Sequence, residues 1–174
     1  SLALVDEAFN AALDAAAALH SWQYHQNQKA VQIDYLDDNG QKQAYTIWHY
    51  EFADRAEILK RHDEAAELGK ALEAKANLLV QEKRAFSKEV MDAIKAAQGK
   101  GRNMAGLATY RRGCFLVSLC QIDDWDMMQV LYHPKMQHFD PLAGENNPIP
   151  TFEKVYAEYH DTAYADDAQY YVGY

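Results

Sequence analysis

His133, His138 and Asp140 lie within eight residues, in the run His-Pro-Lys-Met-Gln-His-Phe-Asp. Two imidazoles and a carboxylate on one loop are the donor types that suit Zn or Fe. Their spacing matches no zinc motif, so a further firm ligand would have to arrive from elsewhere, with Glu158 and His160 as donors. The plainer reading is a loop carrying surface histidines. The other histidines offer less. His20 and His25 are five apart and do not share a helical face, and His49 alternates with aromatics as a packing residue would. His62 stands among Asp63, Glu64 and Glu67, on what reads as an exposed helix surface. Glu64 and Glu67 resemble half of a carboxylate-rich metal helix, but no matching set recurs on another helix.

Charge is the second place where chemistry could reside. The chain carries −9 overall, unevenly distributed. Residues 1–82 hold 14 acidic and 7 basic side chains, residues 83–112 hold 2 and 8, and residues 113–174 hold 10 and 2. The basic belt comprises Lys83, Arg84, Lys88, Lys95, Lys100, Arg102, Arg111 and Arg112. Lys95, Lys100, Arg102, Arg111 and Arg112 would be its phosphate or acidic-partner contacts, with Gly99-Lys100-Gly101-Arg102 as a mobile clamp. The competing expectation is that the belt pairs with the acidic blocks, inside one chain or between subunits. Gly-Lys-Gly-Arg is not a P-loop, and no nucleophile elbow, Rossmann glycine fingerprint or HExxH occurs.

The third candidate is the C-terminal segment, where Tyr156, Tyr159, Tyr164, Asp166, Asp167, Tyr170 and Tyr171 crowd together. Tyrosine buries a large area at small entropic cost and is enriched at interfaces. Carboxylates beside it would favour a basic partner. Against this stands a tail simply packed over the core.

The elements that must position these groups form an α+β fold, helix-dominated, in a single domain over 1–174. Half the chain is apolar (49%), enough for a core. Residues 2–20 read as an alanine-rich helix. Residues 30–50 alternate apolar and polar about Asp37-Asp38-Asn39-Gly40, which predicts a hairpin with a type I′ turn. Residues 52–98 form the longest helical stretch, with Ile58, Ala65, Leu72, Leu79, Phe86 and Ala93 at intervals of seven. Unbroken it would run about 70 Å, so it must fold back, near Gly69 or near Arg84–Ser87, or meet a second copy of itself. Asp54 and Ser87 are candidate caps, and Gly99 to Asn103 should stop the helix. Residues 114–122 read as a buried strand, with a short buried helix as the alternative; 127–133 would pair back on that strand in a sheet of about four strands, 134–150 reads as loop, 151–163 as a short helix capped by Thr151, and the remainder as a tyrosine-rich tail.

Cys114 and Cys120 sit six apart in an apolar run and match neither a CxxC motif nor a zinc knuckle. No apolar run is long enough for a membrane span, and acidic residues interrupt the alanine-rich start, unlike a signal-peptide core. A cytoplasmic location is expected. These features favour a non-enzymatic interaction module, homodimeric through its long helices, that meets another protein through its acidic, tyrosine-rich surface without a cofactor. A metal-dependent enzyme and a nucleic-acid-associated protein are the alternatives.

Overall fold

The computed structural model describes residues 2–19, 27–51, 54–82, 85–131 and 144–173. Among these residues the chain forms helix α1 (Leu2–Leu19), strands β1 (Asn27–Leu36) and β2 (Lys42–Glu51), and helices α2 (Arg55–Gln81), α3 (Lys88–Leu131), α4 (Ile149–Glu158) and α5 (Ala165–Gly173). The fold is α+β and dominated by two long helices.

The hairpin forms where the alternation places it, antiparallel and in a register that sets Val31 opposite Ile47 and Ile33 opposite Tyr45. These residues and His49 share the inner face, with Ile47 buried, while Gln32, Thr46 and Trp48 point to solvent. The turn is not type I′. Only Gly40 takes a positive φ (72°) among the described residues, whereas I′ would need Asn39 to do so as well. Asp37 explains the difference: its Oδ1 accepts from the backbone N–H groups of Asn39 and Gln41, both at 2.9 Å. That holds a type I-like bend, closed by glycine in the left-handed region.

The long helical region folds back on itself at Glu82–Ser87, one of the two expected positions. Glu82 turns extended (ψ 126°). Ser87 caps the next helix, its Oγ accepting the Val90 N–H at 3.3 Å. Asp54 occupies the N-cap of α2 without a side-chain capping bond.

Gly69 does not break α2. It is the crossing point with α3. A Cβ on Gly69 would lie 2.5 Å from the Ala105 nitrogen, and one on Gly101 would lie 2.5 Å from the Glu73 nitrogen. The backbones therefore touch across two reciprocal glycines, and helix α3 returns antiparallel along α2.

That contact corrects the expected helix stop at Gly99–Asn103. Helix α3 passes straight through it and on to Leu131, about 66 Å at 1.5 Å per residue. Residues 114–122 are accordingly helix, not strand, as are 127–131, and the four-stranded sheet is replaced by the hairpin alone among the described residues. The reason is burial on several sides. Phe115, Leu116 and Leu119 meet Ile58 of α2, while Cys114 and Val117 meet α4 and α5. β2 also packs against α3. A helix with little solvated face loses the polar stripe that would reveal its period.

Helix α1 lies mainly on α2, burying Phe9 and Leu13 against Ala65, Ala66, Leu72, Met104 and Ala108. Helix α4 begins two residues before Thr151. Pro148 takes the N-cap position, and Asn147 Oδ1 accepts the Ile149 N–H at 2.9 Å. The expected helix 151–163 ends at Glu158, and the tail beyond it is itself a helix, α5.

Candidate functional site

The C-terminal helices sort their tyrosines. Phe152, Val155 and Ala168 are fully buried and hold α4 and α5 together against α3. Phe152 stacks on Tyr171 at 4.5 Å with the rings nearly parallel (6°), and Tyr110 of α3 stacks on Tyr164 at 5.8 Å. Gly113 makes room for Phe152: a Cβ there would stand 2.7 Å from the ring. Tyr159 is 3% exposed. Tyr164 and Tyr171 are half-buried. Tyr156 and Tyr170, by contrast, stand 49% and 65% exposed, and Glu153, Asp166 and Asp167 are exposed on the same two helices. Of the five tyrosines expected to face a partner, three serve the core and two face solvent.

The pKa shifts follow the packing. Burial is the main cause that raises the Tyr110, Tyr159 and Tyr171 hydroxyls above the ordinary phenol value. Burial also raises the Cys114 thiol, against the opposing pull of a hydrogen bond with Tyr110. Each shift keeps its group neutral, and a thiol held protonated is a poor nucleophile.

Three of the six described members of the basic belt, Lys100, Arg102 and Arg112, are paired within the chain, and Lys83 and Arg84 lie outside the described residues. Arg102 Nε meets both carboxylate oxygens of Asp161, at 2.6 and 2.9 Å, and its Nη2 donates to the Glu158 carbonyl at 2.7 Å. Its guanidinium also sits over the Tyr159 ring, 5.7 Å from the centroid. The Asp161 hydrogen bond raises the Arg102 pKa and depresses that of Asp161. Lys100 Nζ meets Asp6 of α1 at 2.5 Å. Arg112 Nε lies 3.0 Å from Asp63 Oδ1 without the alignment of a hydrogen bond, while its Nη1 donates to Thr151 Oγ1 at 3.2 Å. Lys95 and Arg111 remain exposed. Gly99 to Arg102 lies within helix α3 rather than in a loop that could act as a clamp.

A polar recess of about 270 Å³ joins Lys70, Arg112 and Lys154 to Thr109 and Thr151. Two of its three cations are already compensated. Lys70 bonds Glu67 at 3.0 Å, which raises the lysine pKa, and Arg112 faces Asp63.

His62 is not on an exposed surface. It is 2% exposed, with Nδ1 2.8 Å from the Ile58 carbonyl and its ring stacked over Phe115 at 6.4 Å. Position 62 falls one turn after Ile58 and one before Ala66, so it belongs to the apolar stripe; the charged neighbours on either side disguised it. His133, His138 and Asp140 lie outside the described residues, as do His20 and His25. Glu158 and His160 are both exposed, at and just beyond the end of α4. Among the described residues no three His, Cys, Asp or Glu side chains are grouped closely enough to hold a metal ion. No described helix is long and apolar enough to cross a membrane.

Comparisons with protein-family models, with curated proteins and with solved structures find no match to this chain.

Proposed function

We propose that the protein is a non-catalytic interaction module that binds a basic protein surface through the solvent side of α4 and α5. The observation that carries this reading is the division among the C-terminal tyrosines. Tyr156 and Tyr170 stay in water although the same two helices bury Tyr159 and half-bury Tyr164 and Tyr171. Exposed tyrosines on a pre-formed helical pair bring large contact area with little ordering cost on binding. Glu153, Asp166 and Asp167 supply the negative field that would steer a basic partner. The aromatic stack of Phe152, Tyr171, Tyr110 and Tyr164 beneath them holds the two helices in one arrangement.

A photo-crosslinking residue placed at 156 or 170 tests this in the native host. The expected outcome is a discrete protein adduct from both positions and none from the exposed control positions Gln32 and Ala74. Asp166→Lys with Asp167→Lys should suppress the adduct. Adducts at every position alike, or at neither tyrosine position, would remove the proposal.

A further inference from the structure

The turn of the hairpin holds an asparagine followed by a glycine, Asn39-Gly40. This pair has a chemistry of its own. The backbone nitrogen of the following residue can attack the asparagine side-chain carbonyl and close a five-membered ring. A side chain on that following residue crowds the attack, and glycine has none. Asn39 and Gly40 are both exposed, and a Cβ at Gly40 would meet nothing within 4 Å. No described residue hydrogen-bonds the Asn39 carboxamide, so nothing there holds it away from the next peptide.

The other six asparagines are placed differently. Asn10, Asn77 and Asn103 lie inside α1, α2 and α3, where the helical backbone commits the next N–H to a carbonyl of the preceding turn. Asn77 also accepts from Gln98 at 2.6 Å. Asn146 is 8% exposed and accepts from Arg55. Asn147 precedes Pro148, whose ring nitrogen has no proton to lose. Asn27 opens β1 and is followed by Gln28, which carries a side chain.

The turn also contains a brake. The Gly40 N–H, which must lose its proton before the nitrogen can attack, donates to the Asp37 carbonyl at 3.0 Å. Asp37 Oδ1 accepts from the N–H groups of Asn39 and Gln41, both at 2.9 Å, and so fixes the backbone on either side of the reacting peptide. We propose that Asn39 is a site of spontaneous deamidation and that Asp37, by holding the turn closed, sets its rate. The Gly40 nitrogen gives its proton to solvent base and bonds to Asn39 Cγ; the Cγ–Nδ2 bond breaks and Nδ2 leaves as ammonia. Water then opens the ring at either carbonyl. One opening leaves aspartate at position 39, and the other leaves isoaspartate, with the main chain running through Cβ and Cγ. One water enters and one ammonia leaves, and either product adds one negative charge. Isoaspartate lengthens the main chain by one carbon inside the turn, which should break the paired bonds to Asp37 Oδ1. The proposal involves neither Tyr156 nor Tyr170, and stands or falls apart from the α4–α5 surface.

Peptide mapping by mass spectrometry tests it on the intact chain, incubated for weeks at neutral and at mildly alkaline pH. Electron-transfer fragmentation separates isoaspartate from aspartate. Position 39 should convert before every other asparagine, and faster at the higher pH because the attacking nitrogen must be deprotonated. Asn39→Gln should abolish the conversion, since its longer side chain would have to close a larger ring. Asp37→Ala should speed conversion at position 39 several-fold, toward the rate of the urea-unfolded chain. Asp37→Asn, which keeps a side-chain oxygen as acceptor, should stay close to the wild type. A folded chain that keeps position 39 intact while the unfolded chain converts, or that converts another asparagine first, overturns the site. Asp37→Ala no faster than the wild type, or Asp37→Asn as fast as Asp37→Ala, overturns the role of Asp37.

Discussion

Arg102 joins three elements of the described chain. It reaches from α3 to Asp161, to the Glu158 carbonyl and to within 3.7 Å of Glu73, and it caps the Tyr159 ring. The loop between α4 and α5 is thereby tied to the two long helices. Asp161 is 53% exposed, so the pair should contribute modestly, about 0.5–1 kcal/mol. The hydrogen bond from Arg102 depresses the Asp161 pKa. A carboxylate whose folded pKa lies below its unfolded value contributes its full stability above that unfolded value, about 3.9. The contribution fades as pH falls through the folded pKa. Asp161→Asn should therefore lower the melting temperature by a few degrees at neutral pH, with the difference closing as both proteins are titrated below about pH 4. Thermal melts across that range check it. A gap of unchanged size in acid would mean that the side chain acts through something other than its charge.

At the scale of elements, the reciprocal contact of Gly69 and Gly101 sets the distance between α2 and α3. Glycine is needed at 101 because a methyl group would meet backbone, which cannot rotate away. Gly99, two residues earlier in the same helix, has open space where its Cβ would stand. The two positions should respond with opposite sign. Gly101→Ala should destabilise by about 3 kcal/mol through forced separation of the helices, and Gly99→Ala should stabilise by about 0.5–1 kcal/mol through helix propensity. Denaturant midpoints of the two variants decide it; equal shifts would mean that the crossing is loose.

These glycines also show where the sequence was legible and where it was not. The hairpin could be read because one of its faces is wet and one is not. The turn back at Ser87 could be read because a hydroxyl before a helix has a local job. Gly99 and Gly101 look like a helix stop, since nothing local distinguishes a glycine that ends a helix from one that another helix crosses. The clue lay in two small pairs four apart, Ala65 with Gly69 and Gly101 with Ala105, which only tertiary contact makes meaningful. The 114–122 run failed for a related reason, its helical period being hidden by neighbours on several sides. At the candidate surface, the identity of the tyrosines was visible, but which of them face water depends on how α5 lies against α3 and α4, and no local pattern encodes that.

At the scale of the whole molecule, three cations of α3 hold the helical scaffold together. Lys100, Arg102 and Arg112 tie α1, the α4–α5 loop and α2, respectively, to α3. The tyrosine-bearing, acidic side of α4–α5 is left to solvent. The most direct measurement is the affinity of the partner recovered by crosslinking for the wild type and for the Tyr156→Ala, Tyr170→Ala double variant, by titration calorimetry at equal melting temperature. Interface tyrosines acting as anchors contribute about 2 kcal/mol each, so the double variant should bind at least tenfold more weakly. An unchanged affinity in a folded variant would contradict the account.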